Sequence, residues 1–390
     1  MDFLAGWPFY RCSFREVERG VAQVAPLFYF IKLVYTRSVM EKKNKKVFMA
    51  MSGGVDSSVA ALLLKREGYD VVGCHFICWE GCDSNEDRRD AMRVAAKIDI
   101  PFHVFDFRKE YKERVFDYMI REYGAGRTPN PDVVCNSEIK FGIFLEKVLA
   151  MDADFVATGH YVRRRGNDLY TAKDASKDQS YFLWKLTPEQ ISRSLFPIGN
   201  YLKSEVREIA REAGLATAEK RDSQGLCFVG KVDFQDFIRE YLPRKEGDVI
   251  SAEGKILGKH DGAHFFTPGQ RHGIRIGGSR EPLYVAATDR ENNTVLVAEG
   301  REASALYKKE IEISEFNLQE NPPEKILARI RYRQPLQEAR IMKHESGIRI
   351  IFDQPQRSAA PGQSVVFYLP AEASAKAGYE QKLLGGGVIS

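Results

Sequence analysis

Cysteine is scarce in this chain. Six cysteines in 390 residues, none in a Cys-x-x-Cys pair, exclude a disulfide-stapled secreted scaffold and a zinc ribbon, and point to a reducing cytoplasm. No Gly-x-x-x-x-Gly-Lys-Ser/Thr occurs, which excludes the usual nucleoside-triphosphatase loop. Long apolar runs are missing too. The stretch from Val21 to Tyr35 is broken by Gln23, Pro26 and Lys32 and is too short to cross a bilayer, so no membrane partner is expected. Asp2 after Met1 is also the wrong start for a signal peptide. Charge of one sign is lacking as well: 58 Lys and Arg against 54 Asp and Glu leave only +4. A histone-like polyanion binder is excluded, and any polyanion must bind a local patch.

What is present describes an ordinary soluble protein, with 44% apolar and 29% charged residues, long enough for two or three domains. The first forty residues stand apart. They hold nine aromatics, from Phe3 to Tyr35, about twice the chain average of 11%. A charged lead-in follows Met40, so residues 1–39 are expected to be dispensable and 1–43 a poorly structured extension.

From Val47 onward, short apolar runs alternate with helical stretches: strands at 47–50, 70–76, 102–106 and 154–158, and helices at 55–67, 86–98, 111–123 and 138–149. Strands joined by crossover helices predict a doubly wound parallel α/β sheet, with ligands beyond the carboxyl ends of the strands. Between the first strand and first helix lies Ala50-Met51-Ser52-Gly53-Gly54-Val55-Asp56-Ser57-Ser58. Two glycines allow close backbone approach, the helix start adds partial positive charge, and three serines add donors, which together describe a pyrophosphate cradle. The plain alternative is a Gly-rich turn with Ser and Asp caps.

Farther along, Gly126-Arg127-Thr128-Pro129-Asn130-Pro131-Asp132 leads to Cys135-Asn136. Two prolines predict a stiff loop that holds a cysteine at fixed distance from a substrate, or else a structural loop with a buried thiol. A second cysteine, Cys227, sits between Gly225 and Gly230 in Asp222-Ser223-Gln224-Gly225-Leu226-Cys227-Phe228, which suggests an exposed turn.

These strings, with Ala157-Thr158-Gly159-His160-Tyr161, Lys177-Asp178-Gln179-Ser180-Tyr181 and Thr267-Pro268-Gly269-Gln270-Arg271, resemble the tRNA-specific 2-thiouridylases, the MnmA family of the ATP-pyrophosphatase superfamily. The resemblance runs in order from about Lys46 to the carboxyl terminus. It implies ATP-dependent 2-thiolation of the wobble uridine of tRNA: the 2-carbonyl oxygen is adenylated, pyrophosphate leaves, and sulfur comes from a cysteine persulfide. ATP, with Mg2+, would be held by Ala50, Met51, Ser52, Gly53, Gly54, Val55, Asp56 and Ser57, with Phe76 and Gly159 nearby. Cys227 would carry the persulfide. Cys135 would help to liberate sulfide or pair with Cys227 in a disulfide, and Asp132 would position a proton or a metal. Asn130, Pro131 and Asp132 would surround the uridine, which must leave the stack for chemistry on its edge. An iron–sulfur cluster on Asp132, Cys135 and Cys227 is left open. His160, Lys177, Asp178, Gln179, Arg331, Tyr332 and Gln363 would contact tRNA, with Lys, Glu and Gln acceptors expected. The sulfur would come from a donor such as a cysteine desulfurase or a sulfur-relay protein.

The remaining cysteines carry less. Cys74, Cys78 and Cys82 recur every four residues, but Cys74 belongs to a strand, where that spacing does not build a metal site, and no metal is assigned. Beyond the α/β region the pattern predicts a domain division at 44–216, 217–282 and 283–390: a nucleotide-binding domain, a small central domain and a C-terminal β-barrel, which the resemblance implies is the tRNA-binding domain. In the last, residues 325–343 hold six basic residues against one acidic. If the strand expected over 326–332 continues through them, Arg329, Arg331 and Arg333 share one face. The alternative is a solvated charged face.

Overall fold

The computed structural model describes residues 44–79, 84–222, 234–344, 347–370 and 380–390. Cys12, Cys82 and Cys227, and the extension over 1–43, lie outside the described residues. The first strands are β1 (Lys46–Ala50), β2 (Asp70–Ile77), β3 (Phe102–Asp106) and β4 (Phe155–Ala157). A hairpin, β5 (Arg163–Arg165) and β6 (Asp168–Tyr170), precedes β7 (Ser194–Leu195). The sheet runs β3-β2-β1-β4-β7, all neighbours parallel. Strand order reverses between β1 and β4, where an open α/β sheet leaves a crevice for ligands.

Helix α1 (Val55–Arg66) follows β1 and α2 (Ser84–Lys97) follows β2. α1 is buried from Val55 to Leu64 except at Asp56, so its carboxylate is singled out. A helical run over 108–124 and another over 131–149 cover the opposite sheet face. Both contain a π-turn stretch, at Lys112–Phe116 and Cys135–Ile143. Pro131 takes the first helical position and Asn130 caps it, its side-chain oxygen accepting from Val133 N at 3.4 Å. A Pro at that place gives up an amide that would have no intrahelical partner. The helix expected to start at 138 therefore starts at 131, and Cys135 lies inside it rather than at a loop end.

Helix α3 (Lys203–Glu212) packs on α1, and α4 (Phe234–Arg239) leads into a four-stranded sheet. Its members are β8 (Gly247–Ile250), β9 (Ile256–His260), β10 (Leu283–Asp289) and β11 (Thr294–Glu299), in the order β10-β11-β8-β9. β10 and β11 were expected in the C-terminal barrel. They belong here because β11 pairs with β8 and the sheet closes its own core of Val249, Val285, Val295 and Val297.

The barrel is closed and six-stranded: β12 (Tyr307–Leu318), β13 (Lys325–Arg329), β14 (Gln337–His344), β15 (Gly347–Arg357), β16 (Ser364–Tyr368) and β17 (Leu383–Ile389). β17 has no apolar alternation to announce it. Its glycines answer to close packing: a Cβ on Gly386 would lie 2.8 Å from the Trp184 ring, so the strand passes against the first domain with no room for a side chain.

Candidate active site

The cradle forms at the carboxyl end of β1, beside the crevice. Met51 N donates to Cys74 O at 2.7 Å, which holds the chain in register with β2. Gly53 has φ +80°, and a Cβ there would strike the Asp87 carbonyl of α2. Gly54 is the α1 N-cap. Ser57 Oγ accepts from Ser52 N at 3.2 Å and donates to Gly54 O at 3.1 Å, and Ser58 Oγ donates to Gly54 O at 2.8 Å. From β4, a Cβ on Gly159 would lie 2.7 Å from Ser57 N. Two strands thus bring glycine backbone together at the first turn of a helix, the donor set that suits a polyphosphate. Ser52 is exposed, Gly54 and Asp56 are half-buried, and Ala50 is half-buried at the strand end, while Met51, Val55 and Ser57 are buried supports.

The Phe76 ring is 4% exposed and packs among Phe107, Phe144 and Phe105 in the aromatic core under the sheet. Cys74 and Cys78 are buried in the same core, and burial pushes the Cys74 thiol far above the usual range. Both are structural.

His160 packs between Phe141 and Phe196, ring centroids 6.0 and 6.4 Å away, and its Nδ1 lies 2.6 Å from Thr158 Oγ1. Burial, with Lys140 nearby, holds its pKa well below the usual value. The shift favours the neutral imidazole over the cation. Neighbouring Tyr161 donates from its hydroxyl to Asp56 Oδ1 at 2.8 Å.

The 127–136 stretch is held from three sides. Arg127 makes a bidentate pair with Glu122 at 2.6 and 2.8 Å. Thr128 N donates to Pro361 O of the barrel at 2.7 Å, and Thr128 Oγ1 lies 3.0 Å from Thr267 Oγ1 of the middle domain. Gln363 Nε2 donates to the carbonyls of Thr128 and Pro129 at 3.0 and 3.1 Å. Asn130, Pro131 and Asp132 are half-buried at the helix start, and Cys135, one turn on, is 1% exposed. Among the described residues no group of three or more His, Cys, Asp or Glu could hold a metal.

The residues expected to contact tRNA have mixed fates. Asp178 is buried and pairs with Arg329 at 2.5 Å, so it ties the first domain to the barrel and is shielded from solvent. Gln179 Oε1 accepts from Tyr161 N at 3.0 Å. Lys177 Nζ donates to Asp222 Oδ2 at 2.7 Å. β13 ends at Arg329, and Arg333 takes φ +64°. The three arginines therefore share no face: Arg329 is buried, Arg331 is half-buried and donates to the Ser358 carbonyl at 2.7 Å, and Arg333 is exposed. Tyr332 is half-buried, its ring 4.5 Å from that of Phe182.

Residues 45–231 match a family described as tRNA methyl transferase HUP domain, 235–299 the tRNA methyl transferase PRC-barrel domain, and 307–389 the Aminomethyltransferase beta-barrel domain. A tRNA-specific 2-thiouridylase MnmA of Christiangramia forsetii is 43% identical over 89% of this chain and 100% of its own. Another, of Geobacillus thermodenitrificans, is 45% identical over 88% of this chain and 94% of its own. The chain belongs to the tRNA-specific 2-thiouridylase family. A member from Pseudomonas aeruginosa PAO1 is 44% identical over 91% of this chain and 96% of its own. Among solved structures, the U34-tRNA thiolase NcsA from Methanococcus maripaludis with its 4Fe–4S cluster is 20% identical, with a TM-score of 0.33, covering 54% of this chain and 71% of that one.

Beyond the family's motifs, the site contains residues that carry no sequence signal. Lys203, at the start of α3, reaches Asp56 across 147 positions, and Glu122 braces the loop through the motif's Arg127. A lone lysine or glutamate at a helix position has no pattern that distinguishes it from a solvated charge.

Proposed function

We propose that this protein performs ATP-dependent 2-thiolation of uridine 34 in tRNA, giving 2-thiouridine, AMP and pyrophosphate. The observation that carries the reading is the glycine cradle at the β1/β4 crevice in a chain that matches 2-thiouridylases over nearly their whole length. The family descriptions carry methyltransferase wording, but a polyphosphate cradle favours nucleotide-driven adenylation. Ser52 to Ser57 bind the ATP polyphosphate, with Mg2+ as its counter-ion. In this reading Asn130, Pro131 and Asp132 surround the extruded base, and Arg331, Tyr332 and Gln363 are the barrel's contacts to tRNA.

The uridine O2 attacks the α-phosphorus and pyrophosphate leaves with the α–β bond electrons. The terminal sulfur of a Cys227 persulfide, supplied by a cysteine desulfurase or relay protein, then attacks C2 and displaces AMP with the original oxygen. The Cys135 thiolate attacks Cys227 Sγ, which forms a Cys135–Cys227 disulfide and leaves the outer sulfur on the base. An external thiol reduces the disulfide before the next turnover. Cys135 is buried inside a helix, so this step needs access to its sulfur. The acceptors are tRNAs for Lys, Glu and Gln, and the setting is cytoplasmic.

The test is thiolation of a wobble-uridine transcript with ATP, Mg2+ and a persulfide source. Activity is expected to vanish in Cys227→Ser while tRNA-dependent pyrophosphate release persists. Full activity in that variant would remove Cys227 from the pathway, and pyrophosphate release without tRNA would favour a small-metabolite ligase.

A further inference from the structure

Lys203 occupies an unfavourable place for a cation. It is the first residue of α3, where the partial positive charge of the helix start opposes an ammonium, and its side chain is only 13% exposed. Carboxylates surround its ammonium. Nζ lies 2.7 and 2.8 Å from the two oxygens of Asp56 and 2.8 Å from Asp222 Oδ1. An ammonium has three N–H donors, and three carboxylate oxygens stand within reach. The Tyr161 hydroxyl supports Asp56 from another side. Asp222 in turn takes Lys177 on Oδ2 at 2.7 Å and Arg207 on Oδ1 at 3.0 Å. Two carboxylates and three cations thus form one cluster against the nucleotide loop.

Asp56 is the second residue of α1, directly after the glycine cradle. Its negative charge beside a bound polyphosphate is repulsive unless it is neutralised, and Lys203 is the cation that reaches both of its oxygens. We infer that Lys203 is a positioning residue for ATP: it neutralises Asp56, fixes the first turn of α1, and ties that turn to Asp222. The inference rests on the reading of Ser52 to Ser57 as the ATP loop. Its signature is a nucleotide effect larger than the tRNA effect: Lys203 itself touches Asp56 of the nucleotide loop, whereas Lys177, the member of the cluster expected at the tRNA, holds its own bond to Asp222 Oδ2.

The experiment measures binding of α,β-methylene-ATP and of tRNA to wild type, Lys203→Met, Lys203→Gln and Lys203→Arg, with thermal melting as the control for folding. Expected is at least a tenfold loss of nucleotide affinity in the Met and Gln variants, with tRNA affinity within twofold of wild type and the Arg variant within about threefold for both ligands. Wild type that fails to bind the analogue overturns the ATP-loop reading and this inference with it. Wild type that binds, with Met and Gln variants within threefold, overturns the inference alone. So does equal weakening of both ligands, or an Arg variant no better than Met, since either would mark Lys203 as merely structural.

Discussion

Single residues decide the cradle. Gly159 lets β4's exit run against the first turn of α1, and a methyl group there meets backbone at 2.7 Å from Ser57 N and 2.9 Å from the Asp56 carbonyl carbon. Gly159→Ala must push those amides apart, and kcat/KM for ATP is expected to fall on the order of tenfold, about 1.4 kcal/mol, in steady-state assays at saturating tRNA. His160 makes a different prediction. Burial lowers its folded pKa, so the unfolded chain takes up a proton near pH 6.5 that the folded one refuses. Stability is full above that value and declines as pH falls below it. His75, His260 and His264 are lowered in the same direction. The melting temperature is expected to drop between pH 7.5 and 5.5, and His160→Gln to show a shallower drop, measured by calorimetry. An unchanged slope in that variant would mean that His160 titrates normally.

At the scale of elements, the joint between the first domain and the barrel is polar at its centre. Arg329 of β13 meets Asp178, Ser180 and the Tyr368 hydroxyl within 3.1 Å, and both charged side chains are under 10% exposed. Breaking a buried pair leaves an uncompensated charge, so Arg329→Met is expected to cost about 3 kcal/mol, read as a shift of the urea midpoint. Asp178 keeps bonds from Ala172 N and Ser180, which holds the loss to the lower end of the usual range. The alternation of Arg329, Arg331 and Arg333 looked like one basic strand face. A strand that ends at Arg329 and a turn with Arg333 at positive φ overrule that pattern, because the pattern gives the period but not where pairing stops. The pairing of β11 with β8 was equally illegible, since strand partners are chosen by contacts between segments distant in sequence.

For the whole molecule, three domains converge on one loop. The 127–130 stretch is gripped by Glu122, by Thr267 of the middle domain and by Pro361 and Gln363 of the barrel, so the site depends on all three packing together. The family match begins at residue 45, and a relative is covered in full by 89% of this chain. Removal of residues 1–39 is therefore expected to leave thiolation within about twofold of the full chain, measured with both proteins at equal folded concentration; an inactive or unfolded product would give the extension a role.

The sequence by itself determined the parallel α/β start, the cradle between β1 and α1, and the motif strings that mark the family, because each is local: a turn, a cap or a run of neighbours in the chain fixes it. Only the tertiary structure decided that Phe76, Asp178 and Arg329 are committed to the interior and that Cys135 lies buried in a helix. It also joined Lys203 to Asp56 across 147 positions. Burial and long-range charge pairing arise from surfaces that meet only once the chain is folded, so no window of sequence contains them. The small net charge of +4 illustrates the difference, for many of the charges it averages are spent holding the molecule together.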